Sequence, residues 1–521
     1  MLYFETAPAF FVSAMITRLQ VDGFKNLLDV DIRFGPFTCI AGANGVGKSN
    51  LFDAISFLSR LADSTLNEAA SRARDPEARS GDLRSLFTLA GHERSEVMKF
   101  GVEMVVPREA TDDLNQLAKA SITLLRYDLH LVFEEGDQVT KSDRLAIRYE
   151  SLVHLNRGGT SAKRVLPFLR TSWSRSAAWR KDALLGKRNA PFVSTVDADG
   201  QRLEQQDASR ASRIQRHQEG NQGRPYPFDM ATLPRTVLST ANALESPTML
   251  VARREMQSWS LLHFEPSALR SPDDFRAPGR MAPNGAHLPS TLYRLAHRSG
   301  HESDDIYASI ANRLAELIDD VRLVRVERDA TRELLTLQVQ DRVGTYHSAR
   351  SLSDGTLRFL ALAVLQEDPE ARGVWCLEEP ENGLHPARVP AMMALLRDIA
   401  ADTERPVGHD NPLRQVVINT HSPGVVQNVP DGSLLAAMPT QVKRGGIWQQ
   451  TLRFQAMEET WRTNLADPPA ESLAKGWLLD YLNRPPPLHS GDGEASSEVT
   501  RVIDRPDVRQ LLRQYDLFDE E

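Results

Sequence analysis

Three short apolar runs stand out against a chain that otherwise alternates. Residues 37–41, 373–377 and 415–418 are almost unbroken stretches of apolar residues, each ending in a polar or glycine-rich tip. Runs this short, with no polar face, read as strands buried on both sides. Elsewhere the period is two. Residues 16–21 and 28–34 alternate apolar and polar side chains, which predicts two half-buried strands joined as a hairpin. Residues 100–106, 124–133 and 145–155 predict further strands, forming an antiparallel layer beside the buried ones. The period changes after Ser49, where Leu51, Phe52, Ile55 and Leu58 recur at helical spacing and predict a helix to about Ala62. Helical patterning returns over residues 233–269 and 291–321, followed by a strand pair at 323–326 and 334–339.

The first buried run leads into Gly42-Ala43-Asn44-Gly45-Val46-Gly47-Lys48-Ser49, which fits G-x-x-x-x-G-K-[ST] at every fixed position. Strand, glycine loop and helix supply the context the pattern needs. Glycines let backbone N–H groups close around a phosphate, and the helix N-terminus adds its positive end. Lys48 would reach the β- and γ-phosphates, and Ser49 would ligate Mg²⁺. The plain alternative is a glycine turn that only caps a helix.

Two further tips and one helix start follow. Ser353-Asp354-Gly355 opens a helix, where Ser353 can cap or, with backbone N–H groups, hold a γ-phosphate. The second run ends in Glu378-Glu379-Pro380-Glu381, and acids beside a phosphate loop can hold Mg²⁺ and orient water. The third ends in Asn419-Thr420-His421-Ser422-Pro423, where His421 could contact the γ-phosphate or the attacking water.

Composition changes the picture in three places. A chain of 521 residues is too long for one compact core, so two or more domains are expected. Net charge is −8, so any nucleic-acid surface must be local. Residues 157–229 are the place to look. They are rich in basic residues, with Trp173 and Trp179 among them, and read either as a solvated insertion or as an arm contacting DNA phosphates. The two cysteines, Cys39 and Cys376, sit in buried runs and read as free thiols of a reducing cytoplasm. No apolar run approaches the roughly 20 residues that span a bilayer, and the first fourteen residues lack a basic start, so no membrane role is expected.

Together the four motifs resemble those of ABC-type ATPases of the RecF/SMC-like branch, often grouped as AAA-family ATPases. The set looks nearest to soluble ATPases related to the overcoming-lysogenization-defect nucleases. The stretches that carry the resemblance are 42–49, 352–356, Leu377-Glu378-Glu379-Pro380-Glu381-Asn382-Gly383-Leu384-His385-Pro386 and 419–423, with Phe24-Lys25-Asn26 also fitting. It implies an α/β fold: an ABC-type P-loop nucleotide-binding domain with a mixed sheet, flanking helices, an antiparallel β layer and a largely helical insertion. It implies ATP and Mg²⁺ as cofactors. Gly42, Asn44, Gly45, Val46, Gly47, Lys48, Ser49 and Asn50 would form Walker A. Glu378 would take the Walker B position, usually Asp, beside the metal. Glu379 would be the catalytic carboxylate, Ser353 and Gly355 the signature that meets ATP on another subunit, and His421 the switch histidine. The Q-loop glutamine has no clear place.

The expected division is an N-terminal extension (1–14), the first ATPase half (15–156), an inserted helical region (157–320), the second half (321–440) and a helical C-terminal tail (441–521). About 300 residues separate Lys48 from Ser353 without a sustained heptad, so the insertion should be compact or a short arm. The related nucleases carry a Toprim domain with a late Asp-x-Asp. None follows His421, and Asp197-Ala198-Asp199 reads as a surface turn. The leading expectation is a cytoplasmic ATPase that forms a homodimer or higher homo-oligomer around ATP. It would gate an effector such as a Toprim-like nuclease, or a DNA contact, in defence against phage or plasmids. The second is a RecF-like DNA-maintenance ATPase without a nuclease. A transporter nucleotide domain fits less well, because no membrane-coupling segment is visible.

Overall fold

The computed structural model describes residues 15–72, 82–90, 93–136, 143–156, 160–219, 224–298, 303–408 and 410–483. One compact unit spans Met1–Leu482 and a second spans Asn483–Glu521, of which only Asn483 is described. The expected extension 1–14 and residues 484–521 of the tail therefore lie outside the described residues.

In chain order, β1 (Met15–Asp22), β2 (Val30–Arg33) and β3 (Phe37–Ala41) lead into α1 (Lys48–Leu61). Then come β4 (Val97–Val105), β5 (Leu124–Glu134), β6 (Arg144–His154), α2 (Thr160–Val165), α3 (Ala177–Ala183), β7 (Val193–Val196), β8 (Arg213–Arg216) and β9 (Tyr226–Asp229). The second half holds α4 (Pro247–Gln257), β10 (Ser260–Leu262), α5 (Leu288–Ala296), α6 (Ser303–Ala315), β11 (Val321–Asp329) and β12 (Leu334–Asp341). It ends with α7 (Asp354–Glu367), β13 (Gly373–Glu378), α8 (Val389–Ile399), β14 (Arg414–Thr420), β15 (Leu434–Arg444) and β16 (Ile447–Met457).

Two sheets face each other across α1. One is antiparallel, in the order β9-β8-β7-β6-β5-β4-β1-β2. The other runs β10-β13-β14-β3-β15-β16, parallel up to β15, with β16 returning as a hairpin. The parallel strands are buried on both faces, which is why they carry no alternation. Ile40, Cys376 and Val417 face α1 and the antiparallel sheet. Cys39, Ala41, Leu377, Val416 and Ile418 face α5, α7 and α8. Helix α1 is enclosed from both sides, so Leu51, Phe52, Ala54, Ile55, Phe57, Leu58 and Leu61 are all buried. Phe24, Phe57 and Phe100 meet with ring centroids 5.6–5.8 Å apart and tie α1 to the antiparallel layer.

The inserted region carries strands as well as helices. Strands β7, β8 and β9 extend the antiparallel sheet, and β10 joins the parallel one beside β13. These strands have only four residues each; β7 is buried throughout, and exposure rises outward through β8 to β9. Asp197 there closes a turn, its Oδ1 accepting from the N–H groups of Asp199 and Gln201. The stretch after 441, expected as helix, continues as the β15–β16 hairpin before the helix Lys475–Asn483. Its outer half is at least partly exposed on both faces, Ile447 and Trp448 included, which weakens the period-two signal. No described helix exceeds 14 residues, so the insertion is compact.

A single buried side chain joins the sheets at the base of β14. Gln415 is fully buried; its Oε1 accepts from Ile16 N–H (2.9 Å), and its Nε2 donates to Ile16 O (2.8 Å) and Gly35 O (2.8 Å). Replacing it with an apolar isostere leaves three buried backbone groups without partners. Each orphan costs about 1–3 kcal/mol. Gln415→Leu should therefore lower the thermal midpoint by several degrees, with the far-ultraviolet circular dichroism at low temperature unchanged. An unaltered midpoint would show that the staple carries no weight.

Candidate functional site

The loop after β3 needs glycine for a steric reason. Gly47 has φ +101°, and a Cβ there would stand 2.2 Å from Asn26 Nδ2. Asn26 belongs to the turn between β1 and β2 and braces the loop from outside. Its Nδ2 donates to Val46 O (3.0 Å), and its Oδ1 accepts from Asn50 Nδ2 (2.7 Å). Helix α1 then starts at Lys48 with no side chain capping its first turn, so its free N–H groups face the loop. Lys48 Nζ donates to Gly42 O and Ala43 O, both at 2.7 Å. Burial lowers the pKa of Lys48, while Glu379, Glu378 and Glu381 oppose that shift.

The parallel register brings the other tips alongside. Glu378 pairs with Asn419 across β13 and β14, and Thr420 pairs with Ala41 across β14 and β3. Glu379 follows directly, with φ +45°, a left-handed backbone that costs a side-chain-bearing residue about 1–2 kcal/mol. Asn419 holds it there: Glu379 N–H donates to Asn419 O and Oδ1, each at 3.1 Å. The carboxylate is fixed at both oxygens. Oε2 accepts from Asn382 Nδ2 (2.8 Å), and Oε1 lies 2.7 Å from His421 Nδ1. Partial burial pushes the Glu379 pKa up, but Asn382, His421 and Lys48 together hold it below the usual glutamate value. An ionised carboxylate only accepts, so His421 Nδ1 carries the proton of that bond.

These elements enclose a cavity of about 450 Å³. Asn44, Gly45, Gly47, Lys48, Ser49, Glu378, Glu379 and Asn419 line it. Gly42, Val46 and Asn50 shape the loop from behind, and His421 reaches the cavity through Glu379. Ser353 and Gly355 are not part of its lining. Ser353 caps α7, its Oγ accepting from Thr356 N–H at 3.2 Å. Gly355 packs under the turn after Glu379, where a Cβ would come within 2.6 Å of Gly383 O.

Several lining residues are not evident from the sequence. His263 and Phe264 lie at the tip of β10, and Arg358 projects from α7 and donates to Asn382 O (3.0 Å). The signal for His263 is present as Leu261-Leu262 before a polar tip, but three residues are too few to separate a strand from the helix before it. Glu381 has no role in the motif pattern, yet it is 7% exposed. One of its oxygens accepts from the Thr420 hydroxyl and the other has no hydrogen-bond partner, and burial raises its pKa.

Lys48 is the one side-chain cation within the loop 42–49. Removing a partner from a buried charge contact costs about 2–5 kcal/mol, or roughly 30- to 4,000-fold in affinity. Lys48→Ala should weaken binding of a fluorescent ATP analogue by that order while thermal unfolding stays cooperative. Wild-type affinity in the variant would remove the loop from the binding site.

A family model described as "AAA domain, putative AbiEii toxin, Type IV TA system" matches residues 37–109 and 201–427. Among characterised proteins, an OLD nuclease of Thermus scotoductus is 46% identical over 44 residues, which is 8% of this chain and 8% of that protein. The DNA replication and repair protein RecF of Porphyromonas gingivalis is 46% identical over 46 residues, covering 9% of this chain and 13% of RecF. The chain thus spans a small fraction of the length of these relatives. Among solved structures, an SMC head bound to the C-terminal winged-helix domain of ScpA superposes with TM-score 0.41 at 12% identity, covering 85% of this chain and 98% of that one. The SMC head of Thermotoga maritima gives 0.34 at 11% identity, covering 84% and 98%. The family model covers more than half of the residues, and the chain belongs to this AAA-domain family.

Proposed function

We propose that this protein binds Mg-ATP in the cavity above Lys48 and hydrolyses it with Glu379, and that two subunits close around two ATP molecules. The observation that carries the reading is the fixed carboxylate of Glu379. Its backbone is held in a costly conformation, both its oxygens are tethered, and it lines the same cavity as Lys48. Strain kept at one residue by surrounding bonds is characteristic of a working site.

Each residue has a distinct task. Lys48 offsets phosphate charge and exchanges its two carbonyl contacts for phosphate oxygens. Glu379 orients the attacking water and takes its proton. His421 and Asn382 keep that carboxylate aimed. The Ser49 hydroxyl and the Glu378 carboxylate are hard oxygen donors suited to Mg²⁺. Among the described residues no group of three or more His, Cys, Asp or Glu forms a metal cage, so this pair fits an ion that takes its other ligands from phosphates and water. Glu378 replaces the usual Asp and is one methylene longer, which suits contact through water. Ser353 and Gly355 lie outside the cavity, and in this reading they meet ATP held by a second subunit. Gating of a partner nuclease or a DNA contact, in a cytoplasmic defence role, is the biological setting we propose. No described helix is long and apolar enough to cross a membrane.

Glu379→Gln should bind ATP with near wild-type affinity and hydrolyse it about 10²- to 10⁴-fold more slowly. A normal rate would show that another group positions the water. Ser353→Arg should retain ATP binding and lose both turnover and ATP-stabilised dimers. The mixing experiment separates shared from separate sites. A dimer of one Ser353→Arg and one Lys48→Ala subunit places both lesions in one site and leaves the other intact, so activity should return in part. Verified mixed dimers without recovery would favour a monomeric ATPase in which Ser353 is only a helix cap.

A further inference from the structure

The basic segment that stands out in the sequence is folded as a cap. Helices α2 and α3 rest on the ends of β1, β4 and β5 through Met15, Val105 and Leu124, and on Ala401 and Leu413 ahead of β14. Trp179 is fully buried among them. Thr123 Oγ1 donates to Ala183 O (2.8 Å) and accepts from Leu185 N–H (2.8 Å), fixing the far end of the cap. The cap therefore sits where β14 begins, whereas the nucleotide cavity lies where β14 ends. Seven residues of strand separate them, roughly 20 Å at about 3.3 Å per residue.

Residues 160–190 hold eight basic side chains and one acid, Asp182, in a protein whose net charge is −8. Six of the basic residues are exposed: Lys163, Arg164, Arg170, Arg175, Lys181 and Lys187. The two that form ion pairs do so in open solvent. The side chains of Arg164 and Asp467 are 70% and 63% exposed, and those of Arg175 and Glu404 are 64% and 43% exposed. Such pairs contribute less than about 1 kcal/mol and exchange readily.

The surface also lacks what an apolar partner would need. None of the exposed large hydrophobic side chains among the described residues lies in 160–190. An apolar protein groove or an inserting membrane helix would need them. Trp173 is not free to stack on a base, because the Arg180 guanidinium lies 3.7 Å and the Lys163 ammonium 5.1 Å from its ring centroid. Cations remain, on a firm base, with no device for reading bases. We propose that the α2–α3 cap binds the phosphate backbone of duplex DNA without sequence preference. The proposal stands apart from the nucleotide reading, since none of these residues lines that cavity.

The test is a fluorescence-anisotropy titration of the full chain against a labelled duplex of about 30 base pairs, roughly three turns. It is run without nucleotide over about 50–200 mM salt. The wild type should bind, with affinity falling steeply as salt rises and equal for unrelated sequences. Combining Lys163→Ala, Lys181→Ala and Lys187→Ala should weaken binding at least about tenfold at low salt. It should also reduce the salt slope by about 0.9 for each phosphate that is no longer neutralised. The same number of charges removed by Arg322→Ala, Arg332→Ala and Arg342→Ala, exposed on and near β11 and β12, should change neither. The proposal is overturned by no binding of the wild type at low salt, or by an unchanged slope in the lysine variant. Equal loss in the arginine control overturns it too, as does capture by phosphatidylserine vesicles in place of the duplex. Circular dichroism of both variants guards against loss of fold.

Discussion

The site depends on the in-register parallel pairing of β3, β14 and β13. Glu378 stands opposite Asn419, Asn419 opposite Ile40, and Thr420 opposite Ala41. Three strand ends, distant in sequence, are thereby set side by side to within one hydrogen-bond spacing. Everything that follows β3 in the phosphate loop, and everything that follows β13 in the acidic turn, inherits its position from that pairing. A slip of one residue would turn each tip side chain to the opposite face. Burial on both faces makes such a slip expensive, because neither face of these strands is free to meet water.

The same pairing explains why Asn419 matters although it reacts with nothing. Its carbonyl and its side chain receive the same N–H, that of Glu379, and so hold a left-handed turn beside the strand end. Above it, His421 closes on the carboxylate. One strand tip therefore sets both the backbone and the side chain of its neighbour. Gln415 performs the complementary task at the other end of β14, where it binds Ile16 and Gly35 and keeps the parallel sheet seated against the antiparallel one.

Much of this is legible in the chain. The buried runs at β3, β13 and β14, the alternating strands β1, β2, β4, β5 and β6, and the helix α1 follow directly from hydrophobic period and length. The motif residues around Lys48, Glu378 and Glu379 come together at one cavity. What stays hidden has physical causes. Strands β7–β9 have four residues each, too few to show a period, whether buried throughout like β7 or largely exposed like β9. Three-residue β10 is too short to announce itself, so His263 and Phe264 have no visible place in the sequence. Asn26, Asn382 and Asn419 act through hydrogen bonds whose geometry no linear spacing encodes. The basic segment shows its charge in the sequence, but only the buried Trp179 reveals that it is a seated cap and not a loose arm.

The start of α7 and the turn after Glu379 leave no room for a side chain at Gly355: a Cβ there would stand 2.6 Å from both Gly383 O and Leu384 Cδ2. Most contacts inside a protein contain some slack, since a methyl or a flexible chain end can yield before the main chain moves. Here the one side chain at the contact is that of Leu384, so the slack is small. The start of α7 and the turn that carries Glu379 are geared like two teeth in mesh. A shift of the helix start around Ser353 therefore bears directly on the turn that carries Glu379, and a shift of that turn bears on the helix start.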